Sequence, residues 1–169
     1  MATPNVLSLN GARATDWARK QRGSASIEFV LLFPALFLIL YAIITYGLIF
    51  GAQHTMALAA AEGGRAALRY QNAPDSAQAL NLRMAAARAA AERPLVWLQA
   101  ASGDTQFEPE VTTAACTENA ALTCLTVRVA YDYQSAPLMP SLLGPLLSLP
   151  VPNTLSSESV IQLSPSQLL

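Results

Sequence analysis

Charge is what this sequence has least of: Asp, Glu, Lys and Arg make up 12% of its 169 residues, against roughly 25% in an average soluble domain. With 53% hydrophobic residues, a soluble protein of this size would struggle to cover its surface. Histidine is nearly missing as well. His54 stands alone, and two cysteines, Cys116 and Cys124, cannot make a four-ligand zinc site. There is no Gly-rich phosphate loop, serine elbow or metal-ligand spacing. The carboxylates are scattered, which leaves no nucleophile, base and orienter to group together. The expectation is therefore no enzyme, no catalytic residue, no metal, no cofactor and no small-molecule substrate. No basic patch suggests nucleic acid.

What is present is placed unevenly. From Phe29 to Phe50 the chain reads FVLLFPALFLILYAIITYGLIF, 22 positions without one charged residue or histidine. At about 1.5 Å per residue this run spans roughly 33 Å, which matches a hydrocarbon core of about 30 Å. Tyr41, Thr45 and Tyr46 are its only polar interruptions, and Tyr46 lies near one end, where an amphipathic ring suits a lipid interface. The alternatives are a buried core helix or the h-region of a cleaved secretory signal, for which Ala57-Leu58-Ala59 would serve as a cut site. A signal h-region runs only about 7–15 residues, and length favours the membrane span. Before the run, Arg13, Arg19, Lys20 and Arg22 stand against Asp16 alone; after it the next bases are Arg65 and Arg69. Basic flanks stay in the cytoplasm. The expected localisation is thus a bacterial inner membrane crossed once, with a cytoplasmic N-terminus and a periplasmic C-terminal part. The two cysteines then lie in an oxidising compartment. A disulfide closing a short loop is the stronger reading there, two free thiols the weaker.

Four segments follow: a basic, disordered cytoplasmic leader (1–23), a transmembrane helix (24–50), a helical stalk extension (51–70) and an extracytoplasmic α+β domain (71–169). Helix formers continue past the membrane, with Met56, Ala60, Gly63 and Ala67 at helical spacing. Gly63-Gly64 marks either a bend or a close approach of another helix. Asn72-Ala73-Pro74 breaks the helix. Asp75 with Gln78 three residues on resembles a capping box and opens a second helix, whose apolar stripe is Leu80, Met84, Ala87, Ala91, Leu95 and Leu98. Arg83, Arg88 and Glu92 are expected on other faces, with Pro94 ending or kinking the helix and Ser102-Gly103-Asp104 forming a turn. The period then changes to two. Leu125, Val127, Val129, Tyr131 and Tyr133 alternate with Thr126, Arg128, Ala130 and Asp132 in the clearest strand. An earlier strand over Phe107–Thr113 carries Pro109, which argues for a sheet edge. A last strand over Thr154–Leu163 pairs beside them. The fold class expected is α+β: a long N-terminal helix, membrane-spanning in its first half, and a second helix packed on a small antiparallel sheet with one disulfide. Residues 136–152 (APLMPSLLGPLLSLPVP) carry no charge. They read as a loop with a short helix under the sheet, or as an apolar patch resting on lipid or a partner subunit.

The informative junction is Arg22-Gly23-Ser24-Ala25-Ser26-Ile27-Glu28-Phe29, where a carboxylate opens an otherwise uncharged span. Such placement costs on the order of a few kcal/mol unless the group snorkels or finds a cation. Were the chain cut after Gly23, Ser24 would carry a new ammonium and Glu28 would be the fifth residue. Four residues along a helix is about 6 Å, within reach of its own or a neighbour's N-terminus. The plainer reading is a solvated first-turn carboxylate, with Ser24 or Ser26 as N-cap.

The stretch RGSASIEFVLLFPALFLILYAIITYG resembles the N-terminal signature of the TadE/TadG-like minor pseudopilins of the tight-adherence (Flp pilus) system. The matching pieces are the bases before Gly23, four small or apolar residues, Glu28 followed by aromatic Phe29, and Pro34 in the leucine-rich span. AAEGGRAALRY, the Cys116/Cys124 pair, YDYQSAPLMPSLLGPLL and the Ser-rich final strand are similar to later parts of that family. The resemblance implies cleavage between Gly23 and Ser24 by a prepilin peptidase, and an assembly role for Glu28 and Phe29. It implies as partners the peptidase, other pilins and pseudopilins, and the Tad assembly platform, in a pilus used for surface adherence. The long leader and large outer part favour a minor component over the main filament subunit. The rival is an uncleaved, single-pass envelope protein that binds a partner through its outer domain.

Overall fold

The computed structural model describes residues 11–103, 108–139 and 150–167, with residues 11–25 described as helix backbone alone. Helix α1 runs Gly11–Ala67, helix α2 runs Ser76–Ser102, and strands β1 (Glu110–Ala115), β2 (Thr123–Asp132) and β3 (Thr154–Leu163) follow. A short 3-10 turn occupies Pro165–Gln167. The chain divides into two compact units, one ending at Ile44 and the other starting at Thr45.

Helix α1 starts at Gly11, earlier than the expected start near Ser24. Residues 11–22, read from sequence as disordered leader, are helical because GARATDWARKQR holds mainly good helix formers and no proline after Pro4. Residues 1–10 of that leader lie outside the described residues.

In the second unit α1 contributes small side chains to a two-layer packing. Ala52, Met56, Ala59 and Ala60 join Leu95 and Leu98 of α2 and Val129, Tyr131, Tyr133 and Leu155 of the sheet in one buried cluster. Ala67, Ala87, Ala91, Val111, Leu125, Val127 and Leu163 form a second. Residues 51–67, expected as a helical extension beyond the bilayer, thus supply half of a helical layer under the sheet. Gly63 and Gly64 explain how the layers come so close. A Cβ on Gly63 would stand 2.9 Å from Val127 Cγ1 and 3.0 Å from the Ala87 carbonyl oxygen, and one on Gly64 would stand 2.9 Å from Ser159 Oγ. Of the two readings of the glycine pair, close approach is the observed one, and both α2 and the sheet make it.

Helix α2 begins as expected. Asp75 has extended backbone (φ −146°, ψ 165°) and its carboxylate accepts the Gln78 N–H at 2.7 Å. Pro94 does not end the helix. Its missing hydrogen bond and ring clash cost about 3 kcal/mol, which burial of Leu95 and Leu98 just beyond it offsets at roughly 1.5–3 kcal/mol each. The stop is Gly103, with φ +69°, whose N–H donates to the Gln99 carbonyl; Asp104 lies outside the described residues. Arg83 also departs from expectation, being buried at 3% exposure. Its Nη1 donates to the Ala67 carbonyl at 2.7 Å, satisfying an orphan acceptor at the negative end of α1. Arg83 thus lies on the buried side of α2 with Ala79 and Ala87 rather than on another face.

The sheet is antiparallel in the order β1-β2-β3, so the clearest strand in the sequence is the central one. Glu110 pairs with Arg128 and Arg128 with Glu158, which sets the register on both sides. The alternation in β2 holds: Leu125, Val127, Val129 and Tyr131 are buried and Arg128, Ala130 and Asp132 are exposed. Strand β1 lies at an edge, as Pro109 required, but starts at Glu110 and reaches Ala115; Phe107 is outside the described residues. Cys116 and Cys124 form the disulfide, Cα–Cα 5.0 Å. It closes the β1–β2 connection, where Asn119 Oδ1 accepts the Ala121 N–H at 3.0 Å. Closing so short a loop removes about 2.5 kcal/mol of unfolded-chain entropy.

Candidate functional site

The junction residues all fall on α1. Gly23 and Ser24 lie within its helical range, and Glu28 and Phe29 follow about one turn later, both exposed. Around them the helix offers large apolar side chains to its surroundings on every side: Leu31 is 71% exposed, Leu36 64% and Phe50 72%. One face carries an aromatic ladder. The rings of Phe29 and Phe33 stack at 5.3 Å between centroids, and those of Phe33 and Phe37 at 6.5 Å. Sequence reading singled out Phe29 and missed its two partners, although their spacing of four residues was the signal that places them on one face. Pro34 sits within the helix without ending it.

Exposed leucine and phenylalanine around a whole helix circumference are costly in water, at about 25 cal/mol per Å², and favourable in hydrocarbon. From Ser26 onward this is a helix long and apolar enough to cross a membrane. At its start, the acid Glu28 is the first charged side chain that a bilayer-embedded helix of this length would place near the boundary. Chemically the arrangement offers positioning: a carboxylate near the start of the apolar run next to a stacked aromatic face. Among the described residues no group of three or more His, Cys, Asp or Glu is placed to hold a metal ion.

The second unit contains Cys116 and Cys124, and two further contacts that sequence reasoning did not find. The Tyr46 hydroxyl donates to the Pro150 carbonyl at 3.0 Å, and Trp97 Nε1 donates to Thr55 Oγ1 at 3.2 Å. Each joins residues distant in sequence, so no local pattern could announce it.

Among the described residues there is thus one helix long and apolar enough to cross a membrane, and an α+β unit with one disulfide. Compared with family models, residues 23–65 match the one described as TadE-like protein, which is what this part of the chain is similar to. The match covers the Gly23–Ser24 junction, Glu28, the apolar run and Gly63-Gly64, in agreement with the resemblance read from residues 22–47. No curated protein and no solved structure matches the chain.

Proposed function

We propose that this protein is a minor pseudopilin-like component of a Flp/Tad pilus assembly and secretion system. It is held in the bacterial inner membrane by α1 with its N-terminus cytoplasmic and its second unit periplasmic. A prepilin peptidase cuts between Gly23 and Ser24, and the mature chain joins other pilins and the Tad platform in building a pilus for surface adherence. The observation that carries this reading is the TadE-like match over residues 23–65, which contains the junction and the span together. Glu28 gives it a mechanism. After cleavage, the new Ser24 ammonium of one chain and the Glu28 carboxylate of a neighbour pair within lipid, where such a contact is little screened and sets axial register. The aromatic face of Phe29, Phe33 and Phe37 supplies packing surface beside it.

One observation favours the uncleaved anchor instead. Helix α1 is continuous through Gly23 and Ser24, so a peptidase must open helix to reach the bond. N-terminal sequencing of the membrane-extracted protein, with and without the matching peptidase, separates the two readings. The expected mature chain starts at Ser24 only when the peptidase is present. A start near Met1 in both preparations leaves an anchored envelope protein. Glu28→Ala is expected to abolish pilus assembly while membrane insertion persists; normal pili would remove the register mechanism.

A further inference from the structure

We propose that the cleft between the end of α1 and the middle of α2 docks an acidic helix of a partner protein, whose carboxylates pair with Arg69 and Arg93. The proposal concerns the second unit alone and holds whether or not the chain is cut after Gly23.

Both walls of the cleft follow from helical spacing. On α1, Glu62 and Ala66 stand one turn apart, and Arg69 follows just past the helix end, where its N–H donates to the Ala66 carbonyl at 3.2 Å. On α2, Ala86, Ala90 and Arg93 recur at intervals of four and three, with Ala89 beside them. The α1 stripe points away from the sheet. A Cβ on Gly64 would stand 2.9 Å from Ser159 Oγ of β3, and Glu62 lies two residues, about 200°, round the helix from it. On α2 the core-facing positions are taken by Ala87 and Ala91, both fully buried. The two stripes enclose a cleft of about 330 Å³ floored by the methyl groups of Ala66, Ala86, Ala89 and Ala90. Side chains this small let a third helix come close, since the distance between helix axes falls to about 8 Å where the contact residues are short.

Charge decides what kind of helix. Glu62 is already occupied, because its Oε1 accepts from Arg65 Nη1 at 2.6 Å. Arg69 and Arg93 make no ion pair with any described residue, and both are exposed at the cleft. The neighbouring clefts on α2 lack this surplus. One sets Arg88 against Glu92, and the other groups Arg93 with Glu92 and Glu108. A guanidinium holds a carboxylate through paired, charge-assisted hydrogen bonds. An acidic helix uses both features, its carboxylates meeting the arginines and its small side chains meeting the floor. A free inorganic anion leaves the alanine floor uncovered, and nucleic acid finds no aromatic platform in the cleft for stacking.

The test is fluorescence anisotropy on the full chain in a non-ionic detergent, with a labelled helical peptide of alanine and glutamate about five turns long. A second peptide carries glutamine at every glutamate position and is expected not to bind. Arg69→Gln and Arg93→Gln are each expected to weaken binding of the acidic peptide about fivefold. Both side chains are exposed, so the fold tolerates either exchange. Ala90→Leu, which fills the floor without changing charge, should weaken it by a comparable factor. Arg88→Gln, outside the cleft, should leave it nearly unchanged. Absence of binding to the unaltered chain, or equal binding of the glutamine peptide, overturns the proposal. Equal weakening by Arg88→Gln overturns it as well, since attraction is then diffuse. Displacement of the peptide by millimolar inorganic phosphate, with Ala90→Leu binding normally, assigns the cleft to a small anion and overturns the helix.

Discussion

Between Ile27 and Ile44 helix α1 presents Leu31, Leu32, Leu36 and Ile43 to its surroundings, each more than 60% exposed, whereas between Ala52 and Ala67 it buries Ala52, Ala59, Ala60 and Ala67 almost completely. Backbone geometry is the same in both stretches. The first has bulk all round, which suits a hydrocarbon surrounding that needs no complementary shape. The second has small residues on one side because α2 and β2 must come within contact distance of its backbone. A protein core is close-packed and demands fit at every position; a lipid-facing surface demands only apolarity.

Truncating a leucine tests this contrast most strongly. Leu98→Ala in the buried cluster is expected to destabilise the second unit by about 2–5 kcal/mol. Leu36→Ala should leave that unfolding transition within about 0.5 kcal/mol, measured by denaturant unfolding of the detergent-solubilised chain through Trp fluorescence. Equal effects would erase the distinction between the two stretches.

Glycines give a smaller effect with a change of sign. Gly63→Ala places a methyl group against Val127 and the Ala87 carbonyl, costing about 1–3 kcal/mol of overpacking. An added Cβ at Gly47 meets nothing within 4 Å, so Gly47→Ala should instead gain up to about 1 kcal/mol of helix propensity. Thermal unfolding of the two variants side by side reads the sign directly, and a stabilising Gly63→Ala would mean that the layers are not in contact there.

Asp75→Ala is the mildest change, expected to cost about 1 kcal/mol through loss of the Gln78 N–H acceptor. Hydrogen exchange should show it as fraying confined to the first turn of α2. Fraying that spreads to Leu95 would indicate that the cap controls the whole helix.

Much of this was readable without coordinates, and in each case the cause was local. The charge-free run, the Asp75 cap and the alternation in β2 are patterns of neighbours three, four or two residues apart. The disulfide followed from compartment and cysteine count. The junction around Gly23 and Glu28 stands out in the sequence by residue type and spacing, and it lies inside the TadE-like match. Other features escaped for one shared reason: each depends on what another part of the chain brings to it. Arg83 is expected off the apolar stripe, yet the end of α1 supplies a carbonyl that makes its burial tolerable. Pro94 reads as a helix stop or a kink, yet the sheet supplies a core that carries the helix past it. Gly63-Gly64 reads as a bend or a contact, and only α2 and the β2–β3 strands decide between them.

The sequence by itself determined which stretch suits lipid, where α2 starts, which strand alternates and which two cysteines were available to bond, since these depend on composition and short-range periodicity. Tertiary structure alone decided that residues 45–67 form part of the core, that β2 is central, and that Tyr46 holds Pro150. Those outcomes depend on contacts between residues as many as 104 positions apart, and their energies arise only when close packing brings the partners together.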